Sequence, residues 1–330
     1  GIVSSYESMG KEDWRCCLQA GTLEMNFIND GAHDTMTWVF KHWRDGICGL
    51  LIGVSVFCLT WCYLGTVSRQ FYYPNHALMS MIYPAVFFAA GHGMGTTDIE
   101  QFPGLPEFIY GKSNHFDVQS LPERVELVPL RSPLALSHLY YLYAIGWTWR
   151  IFGVSESALQ GYSAFLRAIS ALLLFFLCRF ALSRKAAVFA VVLVSTSPAM
   201  LYAGITLRDF GKMPFILAVL LVLVAFFVRV ITVRKLLFLS GLLGIIFGVG
   251  VGFRQDLLIL LPLAVFVIVF LIRLQVKRQI LYRVGAAGLL FLVFLPISRP
   301  LFQGVALEGG QTSVHTILSG MSKVVEADLQ

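Results

Sequence analysis

Apolar residues in this chain fall in long blocks rather than in the three-to-four-residue stripe of a soluble helix. An uncharged run covers 46–68, long enough for the ~20 residues that a bilayer core requires. Further runs fall near 159–181, 186–206, 213–232, 236–252, 257–273 and 284–298, joined by short turns. Two apolar pieces break the pattern. The stretch 77–91 is only 15 residues long, contains Pro84, and is bordered by Pro74-Asn75-His76 and Gly91-His92-Gly93. The stretch 132–149 is bounded by Arg131 and Arg150 and carries Ser137, His138, Tyr140, Tyr141, Tyr143, Trp147 and Trp149. Such aromatic sets favour the headgroup level, so both pieces are predicted to lie on the membrane surface. The pattern therefore predicts an all-α integral membrane protein of about seven transmembrane helices. A long first outer loop, about 69–158, contains the two interfacial helices.

Composition agrees. Hydrophobic residues make up 57% and charged residues 13%, with mean hydropathy +0.74, whereas a soluble domain is about a quarter charged. The net charge of +6 does not indicate nucleic acid, because the cations lie between apolar runs rather than in a patch. Arg184 with Lys185, Arg234 with Lys235, and Lys277, Arg278 and Arg283 occupy turns without acids, whereas Arg208 pairs with Asp209 and Arg254 with Asp256. By the positive-inside rule the first set is cytoplasmic and the second faces out. Seven spans then place residues 1–46 inside, the membrane module at 47–299, and the loop and 300–330 outside. Within the first segment, 34–44 is predicted as a short interfacial helix. An eight-span arrangement fits the later turns but puts Lys41 and Arg44 outside. The opening Gly1 and the polar close at Gln330 suggest a fragment of a longer protein.

The loop between His92 and Pro133 is the candidate chemical face. Asp98, Glu100, Glu107, Asp117, Glu123 and Glu126 oppose Lys112, Arg124 and Arg131, a net charge of −3, among Pro103, Gly104, Pro106, Gly111, Pro122 and Pro129. No cysteine lies in it, which excludes a disulfide framework or a thiolate metal site there. His76 and His92 bracket the first surface piece without metal-ligand spacing; helix capping is their plainer role, and ordinary solvated charge that of Asp98 and Glu100. Arg208, Lys212 and Arg254 stand at outer span ends, where cations suit an interfacial phosphate. Structural pairing with Asp209 or Asp256 is the alternative. Arg167 falls mid-span, where a charge needs an interior partner. Gly241, Gly244, Gly248, Gly250 and Gly252 lack the Lys-Ser/Thr of a phosphate loop and predict close helix packing.

Four motifs resemble the C-type (GT-C) membrane glycosyltransferases, the superfamily of protein O-mannosyltransferases and aminoarabinose transferases. They are Tyr73-Pro74-Asn75-His76 with Ala89-Ala90-Gly91-His92-Gly93-Met94; Ser132-Pro133-Leu134 continuing to Ile151-Phe152-Gly153-Val154-Ser155-Glu156; Thr196-Ser197-Pro198 with Arg208-Asp209-Phe210; and Gly252-Phe253-Arg254-Gln255-Asp256 ending at Pro262. The resemblance implies sugar transfer from a polyprenyl-phosphate donor to an acceptor on the outer face, in a bacterial inner membrane with a periplasmic loop. It implies an early loop acid that activates the acceptor or binds a divalent metal; no other cofactor is implied. Asn75 stands at that position, followed by His76, and an amide has no proton to exchange. Gln160 stands where an Arg is frequent, and the superfamily's large soluble C-terminal domain is absent from these residues. Candidate catalytic residues are Asp98, His76, Glu100 and Asn75; candidate donor-binding residues are Arg208, Asp209, Lys212, Arg254 and Asp256. The alternative is a non-catalytic membrane scaffold of the same fold. A transporter is disfavoured because no repeated halves are visible.

Overall fold

Apolar blocks that must satisfy every backbone amide internally form helices, and the computed structural model is built of them. It describes residues 35–66, 81–130, 133–203, 210–228, 231–272, 274 and 279–306. The chain divides into two compact units, Gly1–Cys48 and Gly49–Gln330. In the first, the described residues are the opening turns of α1 (Thr35–Thr66). The short helix expected over 34–44 is continuous with α1 rather than separate.

Helical segments stand at all seven predicted places. Among the described residues, four have the length and composition to cross a membrane: the part of α1 from Trp43, α6 (Glu156–Arg179), α10 (Val233–Val251) and the greater part of α12 (Gln279–Ala306). The helix α9 (Met213–Val228) is shorter. The run expected at 257–273 is a succession of a 3-10 turn (Gln255–Ile259), α11 (Leu260–Phe266) and a π turn (Val267–Leu271). The run at 186–206 breaks into α7 (Arg184–Thr196) and α8 (Pro198–Ala203). Pro198 explains the break: it disfavours helical geometry at its predecessor, and Ser197 is extended at φ −61°, ψ 140°.

The glycine stripe performs the packing expected of it. A Cβ at Gly244 would stand 2.6 Å from the Leu290 carbonyl, and one at Gly248 would stand 2.7 Å from Ile297, so α10 and α12 touch through bare backbone. At one end of this pair, Ile231 bridges to Leu274, which joins the two neighbouring turns. Arg283 there donates to the carbonyls of Val269 (3.3 Å) and Ile272, where a cation offsets the helix C-terminal dipole.

At the opposite end the loop forms a packed unit rather than a solvated excursion. Its ends are pinned by β1 (Gly95–Thr96) against β2 (Val128–Pro129), antiparallel, with Thr96 opposite Val128. Phe116 N–H donates to Val154 O and Glu156 N–H to Asn114 O, both at 2.9 Å, which stitches the loop to the start of α6. Phe102, Phe116 and Leu121, with Leu105, Phe108 and Ile109 of the short helix α3 (Leu105–Ile109), are buried together with Ile82, Phe87, Tyr141, Leu142, Ile145 and Trp149. Each such side chain contributes about 1.5–3 kcal/mol on leaving water, which holds a Pro- and Gly-rich segment in one shape.

The two predicted surface pieces are helical in part. Residues 81–82 and α2 (Pro84–Ala89) represent the first, interrupted at Tyr83, just before Pro84. The second is α4 (Pro133–Ser137) followed by α5 (Leu139–Phe152). Its aromatics divide: Trp147 is exposed, but Tyr141 and Trp149 are buried, and Trp149 Nε1 donates to Ser155 O at 3.1 Å. A second core lies among α9, α10, the 255–272 segment and α12. Tyr140 and Phe215 pack against both cores, and the candidate site lies beside them.

Candidate functional site

Where α10 ends, Gly252 turns the chain and Arg254 leaves it extended, at φ −163°, ψ 128°. Asp256 falls in the first turn of the following 3-10 helix. Lys212 precedes α9, its carbonyl accepting the Phe215 and Ile216 amides at 3.1 Å. The Lys212 ammonium donates to Asp256 Oδ2, and Arg254 Nε lies 3.4 Å from that same oxygen. Asp256 Oδ1 is shielded and accepts no hydrogen bond among the described residues. Three candidates that are 44 positions apart in sequence at the extreme thus share one carboxylate oxygen.

The start of α5 holds this turn in place. The Tyr140 and Tyr141 amides both donate to Gly252 O, at 3.1 and 3.2 Å. The Tyr140 ring lies over Gly252 so closely that an added Cβ would stand 2.2 Å from Cδ2. Its hydroxyl donates to Ile297 O on α12, between Pro296 and Pro300. Phe253 packs on Phe215 (4.7 Å) and Tyr141 (6.1 Å). Ser137 Oγ and His138 Nδ1 meet at 2.8 Å, both buried, with the imidazole edge-on to Tyr141.

Arg167 has the interior partners that its depth requires. It is 3% exposed, donates to Met200 O, and lies 5.6 Å from the Phe210 ring centroid. Met200 follows the Pro198 break, so Arg167 ties α6 to the segment that leads to Lys212.

Asp98 and Glu100 are exposed on the loop. Asp98 Oδ1 accepts the Glu100 amide at 3.1 Å, capping a short 3-10 turn. Gly91 (φ 93°) and Gly93 (φ 101°) adopt the left-handed region and reverse the chain after α2. The returning strand meets Tyr83: burial pushes this phenol above its ordinary value, and hydrogen bonds to Thr96 and the Thr97 backbone oppose the shift. Asp98 is therefore held next to α2 by a closed turn. Asn75, His76, Arg208 and Asp209 lie outside the described residues. Among the described residues no three His, Cys, Asp or Glu side chains gather to hold a metal ion.

Sequence reasoning placed Lys212, Arg254 and Asp256 together as outer-end charges but missed Tyr140 and Ser137–His138, which it took for interfacial decoration. Their only signal was a Ser-His pair followed by two tyrosines at a helix start, and nothing local reveals that Gly252 receives them.

Residues 138–298 match the protein family described as dolichyl-phosphate-mannose-protein mannosyltransferase. The resemblance to GT-C glycosyltransferases is thereby shown over this stretch. The matched region contains Tyr140, Arg167, Lys212, Arg254 and Asp256, whereas Asn75, His76, Asp98 and Glu100 precede it. The family points to a membrane glycosyltransferase that uses a lipid-linked sugar. No curated protein and no solved structure matches the chain significantly.

Proposed function

We propose that this protein transfers a sugar from a polyprenyl-phosphate donor to an acceptor on the outer face of a bacterial inner membrane. The observation that carries the reading is the convergence of Lys212 and Arg254, inside the family-matched region, beneath the loop-bearing end of the bundle. Guanidinium and ammonium groups there hold the donor phosphate through charge-assisted hydrogen bonds; Arg208 and Asp209 remain further donor-binding candidates from the sequence. Asp98 receives the acceptor proton in place of the acid that Asn75 replaces, and Glu100, His76 and Asn75 are the other catalytic candidates from the sequence.

Single substitutions Lys212→Gln and Arg254→Gln are each expected to weaken donor binding about tenfold or more, since a charge-assisted contact contributes roughly 1.5–3 kcal/mol. Binding of a polyprenyl phosphate to the purified full chain, with thermal unfolding as a folding control, measures this. Unchanged affinity in both variants removes the donor site.

Seven spans with the loop and C-terminal segment outward are supported by the turns. Arg184 and Lys185 open α7, and Arg234 and Lys235 fall in the first turn of α10. Cations at a helix N-terminus oppose its dipole, so local helix stability does not account for them, whereas retention on the cytoplasmic side does. In a background without the six native cysteines, Gln119→Cys is expected to react with an impermeant thiol reagent in intact cells, and Lys185→Cys only after lysis. The opposite pattern overturns the orientation.

A further inference from the structure

We propose that the last turns of α12, from Pro296 onward, form a gate through which the lipid donor reaches its site, with the Tyr140 hydroxyl as the latch. The proposal rests on the reading of Lys212 and Arg254 as the phosphate cations. Before this point α12 is fixed, because Gly244 and Gly248 bring α10 against Leu290, Val293 and Ile297 through bare backbone. At the next step of the glycine stripe the contact changes. Gly252 meets the Tyr140 ring instead of α12, and the tyrosine hydroxyl reaches across to Ile297 O.

The helix ladder thins out at this change. Proline has no amide hydrogen, so Pro296 and Pro300 leave the Leu292 and Pro296 carbonyls without their helical donors. Ser298 Oγ donates to Phe294 O at 2.9 Å, which is neither of these. Prolines inside a helix are where it bends. Leu292, Leu295, Pro296 and Pro300 share one face of α12 and are exposed, whereas Ser298 and Leu301 on the other face are buried. The exposed side meets the lipid in which the donor's isoprenoid tail dissolves. The inner side is tied through Tyr140 to Gly252, two residues before Arg254. Bending at the prolines would carry Ile297 O away from Tyr140 and leave the Gly244 contact in place. Because Tyr140 belongs to α5, its hydroxyl bond is the one that opening breaks.

The test uses the purified full chain and a fluorescent polyprenyl monophosphate, followed by stopped flow, with hydrogen–deuterium exchange of residues 297–306 read in parallel. Tyr140→Phe keeps the ring on Gly252 and both amide bonds to the Gly252 carbonyl, so it removes the latch alone. Loss of this one bond is expected to raise the association and dissociation rates each about fivefold and to speed exchange in the segment. Affinity should move by no more than about twofold, since a gate acts on both rates together. Pro300→Ala gives the Pro296 carbonyl its donor back, and both rates and the exchange should slow. Faster dissociation alone, with a matching loss of affinity, would show that Tyr140 only supports the site and overturns the gate. Lipid rates that stay unchanged while exchange quickens overturn it too. If Tyr140→Phe does not fold, Pro300→Ala decides, and unchanged rates in that variant overturn the gate. If Lys212→Gln and Arg254→Gln leave lipid affinity untouched, the donor-site reading fails instead. Exchange then judges the latch by itself, and a Tyr140→Phe segment that exchanges no faster overturns it as well.

Discussion

Asp98→Asn is expected to lower sugar transfer by about two to four orders of magnitude, the usual contribution of a positioned base, with donor affinity unchanged. The substitution separates the proposed proton acceptor from the observed cap. Asp98 Oδ1 caps a 3-10 turn through the Glu100 amide, and asparagine caps as well as aspartate does. Shape and turn therefore survive while the proton acceptor is lost. The position suits the proposed role, because the left-handed glycines and the Tyr83 contacts return this segment to α2. Single-turnover rates at saturating donor are the appropriate measurement, since they exclude product release. Asp98→Ala serves as the comparison; it removes the cap as well, at a cost of about 1 kcal/mol of local stability. A fully active Asp98→Asn beside a merely destabilised Asp98→Ala would identify Asp98 as a cap and move the search to His76, where alanine is the next substitution to assay.

The second large effect is expected at Gly252. Alanine is conformationally acceptable there, since φ is −74°, so any damage comes from contact. The new methyl would sit 2.2 Å from Tyr140 Cδ2 and 2.7 Å from Cγ, which forces the ring away. The ring cannot leave alone, because the Tyr140 and Tyr141 amides bond to the Gly252 carbonyl and the Tyr140 hydroxyl bonds to Ile297 O. Overpacking costs about 1–3 kcal/mol, and each hydrogen bond lost about 1 kcal/mol more. Gly252→Ala is thus expected to lower the unfolding temperature and to weaken donor binding together, because Arg254 and Asp256 follow directly on the displaced turn. A double-mutant cycle reads the mechanism. Tyr140→Ala vacates the space, so Gly252→Ala added to it should cost almost nothing further. Strict additivity of the two substitutions would show that the contact is not the cause.

The loop shows why some of this was legible in sequence and some was not. Asp98 and Glu100 are polar in a polar neighbourhood, and their exposure follows from composition. Phe102, Leu105, Phe108 and Ile109 follow helical spacing, but only over a single turn among Pro103, Gly104 and Pro106, and Phe116 and Leu121 stand alone. So short a period is no signal for a core, although these six side chains form that of the loop. The same holds for α5: its aromatics suited an interfacial helix, but burial against the loop took Tyr141 and Trp149 inward and left Trp147 outside.

What the sequence by itself determined is what the bilayer and the backbone impose. Runs of about 20 apolar residues must be helical in lipid. Proline at 198 favours a break in its helix, and glycines at 244 and 248 permit a close contact. These preferences are local, although packing can override them, as Pro296 and Pro300 inside α12 show. Tertiary structure alone decided which distant groups meet. It joined Lys212 to Asp256 across 44 positions, laid Tyr140 across Gly252 and Ile297, and gave Arg167 the Met200 carbonyl. Each of these contacts depends on the packing of whole helices, a long-range balance that no window of neighbouring residues contains.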